Sequence, residues 1–451
     1  MRGTCLALMG AALVLCAAGP ATARKKQPPP PLPPPAPVIP QIKSGDAGVD
    51  AFYYYDRAGE PVWLRDAVGR EAASKVSEIL ARAAIDGLAE GPVLAVAVKS
   101  AIAGGTLTDD AAISIAWLKY VRALKAPVSG VEYGDGTLMI KPPTVKEALA
   151  EALAAPSLVT HVTRVAAVNP FYSTLRDAAL AGESANDPHV RGTLDRLRLI
   201  PAKGKLLIVD TATQRLLMVE DGIVEDSMKV VIGWVNTPTP LIAGMIHYVT
   251  LNPYWNIPSD VVQRRIAPLV VKRGVSYLKA ARYEATDKWG VAAEVVDPAT
   301  IDWKAVAKSE ATAYLRQLPG ANNMMGAMKF GFANRFDIFL HDTPRRQLFD
   351  KARRDLSMGC VRLERASDLA RWLLGSEAAP TGDAPEQQVK LPAGVPVYTL
   401  PMTANVDAGQ IVFAEDIYGY DQPGQAEALA ATTVPVTAAA DVDADEVGTA
   451  R

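Results

Sequence analysis

Cysteine is almost missing from this chain. Of three in 451 residues, two fall within the first sixteen positions, leaving Cys360 alone in the body of the protein. A single thiol cannot form an internal disulfide. Histidine is scarce as well: His161, His189 and His247 are scattered, and His341 is the fourth. With one late cysteine and dispersed histidines, four ligands for a metal are hard to assemble, and no cofactor motif stands out. An excess of either charge is also lacking, with 47 Lys+Arg against 49 Asp+Glu. A basic face able to neutralise phosphates is therefore not indicated, which argues against nucleic acid as a partner.

What is present begins with an export signal. Arg2 supplies a short positive region, residues 6–16 an apolar stretch too short to span a bilayer, and Ala21-Thr22-Ala23 a small-x-small cleavage pattern. Residues 1–23 thus read as a signal peptide that sends the protein to the periplasm. Two other readings stand beside it. Cys16 would be a lipid-modified cysteine, although bulky Leu15 precedes it; or the segment stays uncleaved as an anchor, next to basic Arg24-Lys25-Lys26. Residues 24–49 are rich in proline and read as an extended linker.

The length allows about two or three domains. Residues 50–200 read as a helical scaffold. Val76, Ile79, Leu80 and Ala83 recur at helical spacing with Gly87 as a stop, and Ile113, Trp117, Tyr120, Val121 and Leu124 repeat the pattern behind Asp109-Asp110. Thr144 and Glu147 make a capping box. His161 and His189 read as surface or cap residues. From about residue 204 the period shortens. Stretches 206–209, 215–219, 228–232, 245–251 and 336–341 are strand-like, and Asp221-Gly222 is a hairpin turn. Non-sequential pairing of such strands implies a sandwich or closed barrel, so the fold class is α+β: a helical domain, then a mainly β domain over residues 201–420. Residues 253–330 interrupt the β series with Tyr277, Tyr283, Trp289, Trp303 and a basic run at Arg264 and Arg265. An insertion this long reads as a helical or loop-built cap. His247 reads as a strand residue packed near the core. The Ala-rich, acidic residues 421–451 read as a disordered tail.

Cys360 lies in Ser357-Met358-Gly359-Cys360-Val361-Arg362-Leu363, and His341, nineteen positions upstream, in Phe339-Leu340-His341-Asp342-Thr343-Pro344. A thiol with an ordinary pKa of about 8.5 is mostly protonated at neutral pH, and an adjacent imidazole can take its proton. This makes Cys360 a candidate nucleophile and His341 a candidate general base and acid. The plain alternative is that the two never meet in space. Backbone amides of Met358, Gly359 and Cys360 are candidates for an oxyanion hole.

Together these runs resemble the signature of the peptidoglycan L,D-transpeptidases, the YkuD-domain family. Phe52-Tyr53-Tyr54-Tyr55 and Pro61-Val62-Trp63-Leu64 resemble the start of the scaffold in its large periplasmic members. Asn252-Pro253-Tyr254-Trp255-Asn256-Ile257-Pro258 resembles the entry to their capping subdomain, and Asp416-Ile417-Tyr418-Gly419 the end of their catalytic domain. The resemblance implies that Cys360 attacks a stem tetrapeptide, releases D-Ala, and passes the acyl group from a thioester to an amine of a neighbouring stem, giving a 3→3 cross-link. It implies peptidoglycan stem peptides as partners, sensitivity to carbapenems, and supporting roles in the motif for Ser357 and Arg362. Water as acceptor (an L,D-carboxypeptidase), a protein amine (anchoring to the wall) or reversal on existing cross-links (an endopeptidase) would use the same residues, and a wall-binding scaffold without catalysis is the rival from another class. The chain departs from the pattern at Met358, where many members have histidine or a small polar residue. It departs again at Phe339, where some have tyrosine. The peptidoglycan-binding module that large members often carry is missing between residues 180 and 194.

Overall fold

The structure, a computed structural model, describes residues 41–290 and 292–432. The signal segment, most of the proline-rich linker and residues 433–451 of the expected tail lie outside the described residues. Among those described, no helix is long and apolar enough to cross a membrane.

Helices dominate the first half. The expected linker boundary at residue 49 is too late: Asp46 caps a helix at Ala47–Ala51, and the Ser44 hydroxyl donates to the Asp50 carboxylate at 2.6 Å. Longer helices follow at Ala67–Arg82, Gly91–Gly104, Leu107–Leu124, Val145–Ala154, Leu158–Ala167, Pro170–Ala181 and Pro188–Leu197. The Thr144–Glu147 capping box forms. The Asp109-Asp110 start needs correcting, because Thr106 is the cap and Asp109 its reciprocal partner. Asp110 does something else. It is fully buried, and its carboxylate accepts the amides of Val62, Trp63 and Leu64 (2.8, 2.8 and 2.6 Å) and the Tyr53 hydroxyl. Charged oxygens buried this way are tolerable because every donor around them is used. His161 is also corrected: it is buried, with its ring edge-on to Trp117.

The β half begins with β1 (Glu132–Tyr133), which joins the sheet from within the helical region. It continues through β2 (Lys205–Asp210), β3 (Arg215–Glu220), β4 (Ile223–Gly233) and β5 (Ile242–Leu251). Asp221 and Gly222 both adopt positive φ in the β3–β4 hairpin, which their types accommodate. His247 sits in β5 but is exposed rather than packed near the core. The insertion holds β6 (Trp255–Ile257), β7 (Tyr283–Thr286) and β8 (Tyr314–Gln317) as a small antiparallel sheet, flanked by short helices such as Ala267–Arg273 and Trp303–Ala307. It buries its own core of Ile257, Val262, Ile266, Val306 and Leu315. Its expected end at residue 330 is corrected, since β9 (Met328–Gly331) already belongs to the main sheet. Then come β10 (Phe339–His341), β11 (Asp355–Ser357), β12 (Val361–Leu363) and β13 (Gln387–Leu400). The sheet runs β5-β13-β2-β3-β4-β12-β10-β9 and closes on itself through β9–β5, giving a barrel.

The tail expectation fails at its first residues. The Asp421 carboxylate is buried and takes hydrogen bonds from Arg196 at 2.7 Å and the Thr403 hydroxyl at 2.6 Å, with His189 Nδ1 at 2.7 Å. This clasps the helix Pro188–Leu197 to the end of the barrel domain. A further helix, Gln425–Thr432, follows. Buried ion-pair partners outweigh the weak apolar content that suggested disorder. Because removing one member of a buried pair strands the other charge, Asp421→Ala is expected to cost about 3 kcal/mol. The loss is read as a lower urea midpoint; an unchanged midpoint would show that the clasp bears little of the stability.

Candidate active site

Three neighbouring strands build the site by alternation. In β10, Leu340 points into the barrel core and is fully buried, as are its cross-strand partners Phe330 in β9 and Val361 in β12. Side chains of successive strand residues point to opposite faces. His341 and its partners Lys329 and Arg362 therefore lie on the outer face, joined there by Phe339 and Cys360. The insertion covers that face. Between them lies a cavity of about 400 Å³ lined by Lys329, Asp337, Phe339, His341, Met358, Cys360 and Arg362 from the barrel side. Tyr254, Trp255 and Trp289 line it from the cap. Cys360 and His341 thus share one cavity. Met358, from the loop ahead of Cys360, packs against the core of the cap.

The loop carrying Cys360 is held at several points. Ser357 Oγ donates to the Cys360 carbonyl at 2.6 Å and accepts the Gly359 amide at 3.2 Å. The second bond corrects one expectation, because the Gly359 N–H is already used and Met358 and Cys360 are left as the amide candidates for an oxyanion. Gly359 has φ 115°, a backbone conformation that L side chains rarely adopt, so glycine is needed there. Its carbonyl accepts the Thr239 hydroxyl at 2.7 Å. Thr239 in turn accepts the Gly233 amide at 2.9 Å, and Tyr418 OH donates to the Gly233 carbonyl at 2.6 Å. Tyr418 therefore braces the nucleophile loop through β4. Its position in Asp416-Ile417-Tyr418-Gly419 was visible in the sequence, but nothing local in that run betrays a link to Gly359. Thr239 carried no sequence signal.

His341 Nδ1 lies 2.6 Å from the Asp342 carbonyl. A carbonyl can only accept, so the proton sits on Nδ1 and the lone pair on Nε2, the tautomer a general base needs. Asp342 also accepts the Ala327 amide at 2.9 Å and pairs with Arg346 at 2.6 Å, anchoring the returning end of the cap beside the histidine. Burial is the main cause that drives the imidazole down to about 3, with the Arg362 charge adding to it. Burial also pushes the Cys360 thiol up to about 11, against the lowering pull of the Phe339 backbone and Arg362. The thiol donates to the Asp337 carbonyl at 3.7 Å. The shifts thus describe a neutral thiol and a neutral imidazole lining one cavity, not a thiolate–imidazolium pair.

The rate of Cys360 alkylation by iodoacetamide is therefore expected to stay low through neutral pH and climb towards pH about 11. A plateau already reached below neutral pH would overturn the neutral pair. His341 has the matching signature in stability. The unfolded chain takes up a proton near 6.5 that the folded chain refuses until about 3, so stability is complete above 6.5 and lost as pH falls through that window. His341→Gln should remove this part of the dependence. Thr239→Val is expected to slow acylation of Cys360 by a carbapenem about tenfold, because small displacements of a nucleophile are costly. Thr239→Ser should restore the rate, which loss of packing alone would not explain.

Comparison with known proteins agrees with this architecture. Residues 49–178 match the model of the scaffold domain, and residues 204–398 that of the L,D-transpeptidase catalytic domain, YkuD. A Haemophilus influenzae protein named "Putative L,D-transpeptidase" is 33% identical over 235 residues, covering 50% of this chain and 47% of the relative. The match thus spans about half the length of each. With the catalytic-domain match falling on the barrel and its cap, the chain carries an L,D-transpeptidase catalytic domain of the YkuD type behind a scaffold domain.

Proposed function

We propose that this protein is a periplasmic peptidoglycan L,D-transpeptidase that forms 3→3 cross-links through a thioester on Cys360. The observation that carries the reading is the placing of one thiol and one imidazole on the same covered face of the barrel wall. The donor would be a stem tetrapeptide with its scissile carbonyl beside Cys360. As sulfur attacks, the S–C bond forms and the thiol proton passes to Nε2 of His341. The carbonyl oxygen becomes an oxyanion, aimed at the amides of Met358 and Cys360. When the C–N bond breaks, imidazolium returns the proton to the departing D-Ala amine. An amine of a second stem then attacks the thioester, gives its proton to His341, and restores the thiol.

The cap favours the acyl-enzyme over hydrolysis. Tyr254, Trp255 and Trp289 close the cavity with apolar surface, which limits water while the thioester waits for an amine. The apolar segment at residues 6–16 supports placing the reaction in the periplasm, where its substrate lies.

Incubation with a carbapenem is expected to add one carbapenem mass to the intact protein, and none to Cys360→Ala. No adduct on the native protein, or an equal one on the variant, would sink the mechanism. With purified tetrapeptide muropeptides, cross-linked dimers are expected. Tripeptides alone would identify water as the acceptor.

A further inference from the structure

We infer that Lys329 recognises the carboxylate of the residue on the leaving side of the scissile bond, so that the site is selective for a peptide that ends there. The inference rests on the acyl-transfer reading above and concerns which donors the site accepts.

His341 has one direct partner on each side, Lys329 in β9 and Arg362 in β12, so the candidate base stands between two cations on a single face. Both line the cavity, and among the described residues Asp337 is the one carboxylate lining it. Cations flanking a base carry a cost, since they disfavour the imidazolium that must form during reaction. An arrangement that opposes the proton transfer it surrounds is accounted for if a substrate anion arrives between the cations and cancels their field. Once the anion is seated, the imidazolium is no longer opposed.

Lys329 is the better placed of the two to greet an incoming group. Its ammonium is 3.7 Å from the Glu386 carboxylate, a long ion pair, and it lies 5.6 Å from the centre of the Phe339 ring. Its side chain keeps a quarter of its surface exposed. Glu386 is itself committed elsewhere, because it accepts the Tyr254 amide at 2.7 Å, at the base of the cap. The lysine is thus steered towards the cavity by a partner that leaves it donors to spare. Arg362 is almost wholly buried, a fixed charge behind the reacting pair. Lys329 has both the reach and the room to meet a carboxylate directly.

When the leaving residue has a neutral side chain, as D-Ala does, a carboxylate next to the scissile amide exists only if that residue ends the peptide. Extension or amidation of that residue removes the charge, and the lysine is left with no anion to meet. The Lys329 site therefore favours terminal residues over internal bonds, with its specificity lying in charge rather than in shape.

The test compares two synthetic tetrapeptide donors that differ only at the C-terminus, a free acid and a carboxamide, with D-Ala or D-alaninamide release measured by mass spectrometry. Wild-type protein is expected to prefer the acid by at least about tenfold in kcat/KM, the scale of a lost charge-assisted hydrogen bond. Lys329→Met is expected to erase that preference, chiefly by raising KM for the acid. Lys329→Arg should keep the preference, and thermal melts would show all three proteins folded. A preference undiminished in Lys329→Met, or equal use of both donors by the wild type, would overturn the inference. Failure of the wild type to process either donor would instead overturn the acyl-transfer reading on which it rests.

Discussion

The alternation of side chains along β10 is the constraint on which the site depends. Leu340 must enter the barrel core with Phe330 and Val361, all fully buried, and that burial fixes the register of three strands at once. A slip of one residue would send His341 inward and Leu340 into the cavity, reversing every side chain on the face. The hydrophobic core of the barrel therefore aims the imidazole. The same registration sets Lys329 and Arg362 beside it and brings Cys360 into the same cavity.

A second layer of constraint keeps the sulfur's loop in place. Ser357 closes a short circuit with the Gly359 amide and the Cys360 carbonyl, while Thr239 and Tyr418 hold the loop from behind. Tyr418 lies far along the chain from Cys360, past the long strand β13. The end of the catalytic domain is thus a structural part of its centre. Met358 joins the loop to the cap, so a movement of the cap cannot leave the nucleophile's neighbours untouched. Met358, one of the two departures from the resembled motif, is spent on that packing contact.

Much of this was legible in the residues and much was not, for identifiable reasons. The Asp221-Gly222 hairpin and the apolar strands around it carry local signals, since turn chemistry and period two need no distant partner. The Cys360 and His341 runs were recognisable because their chemistry is concentrated in a few adjacent positions. β13 escaped notice. Pro392, Gly394 and Pro396 punctuate its sequence, yet the strand places the first two in an irregularity between Lys390 and Val395, keeps Pro396 opposite Met245, and pairs on both sides. Asp421 and Asp110 were misread because their partners, Arg196 in one case and the amides of Val62 to Leu64 in the other, are remote in sequence. The engaged amide of Gly359 was invisible for a subtler reason: a motif states which groups are present, and only geometry states which are already spent.

The neutral state of the pair also bears on how a lone thiol could survive outside the cytoplasm, where the protein is proposed to work. Oxidants and stray electrophiles react with thiolate, and a thiol held near pKa 11 presents very little of it at neutral pH. Activation must then accompany substrate. With the imidazole near 3, proton transfer in the empty cavity runs strongly uphill. A bound donor changes the balance, since its carbonyl offers an oxyanion to share the charge and its approach displaces water from the cavity. The burial that makes the resting pair inert thus becomes the low-dielectric setting in which amide dipoles act most strongly on the transition state. A preformed ion pair would react faster with everything, whereas under the proposed mechanism the neutral pair becomes reactive only when a donor fills the space beneath the cap.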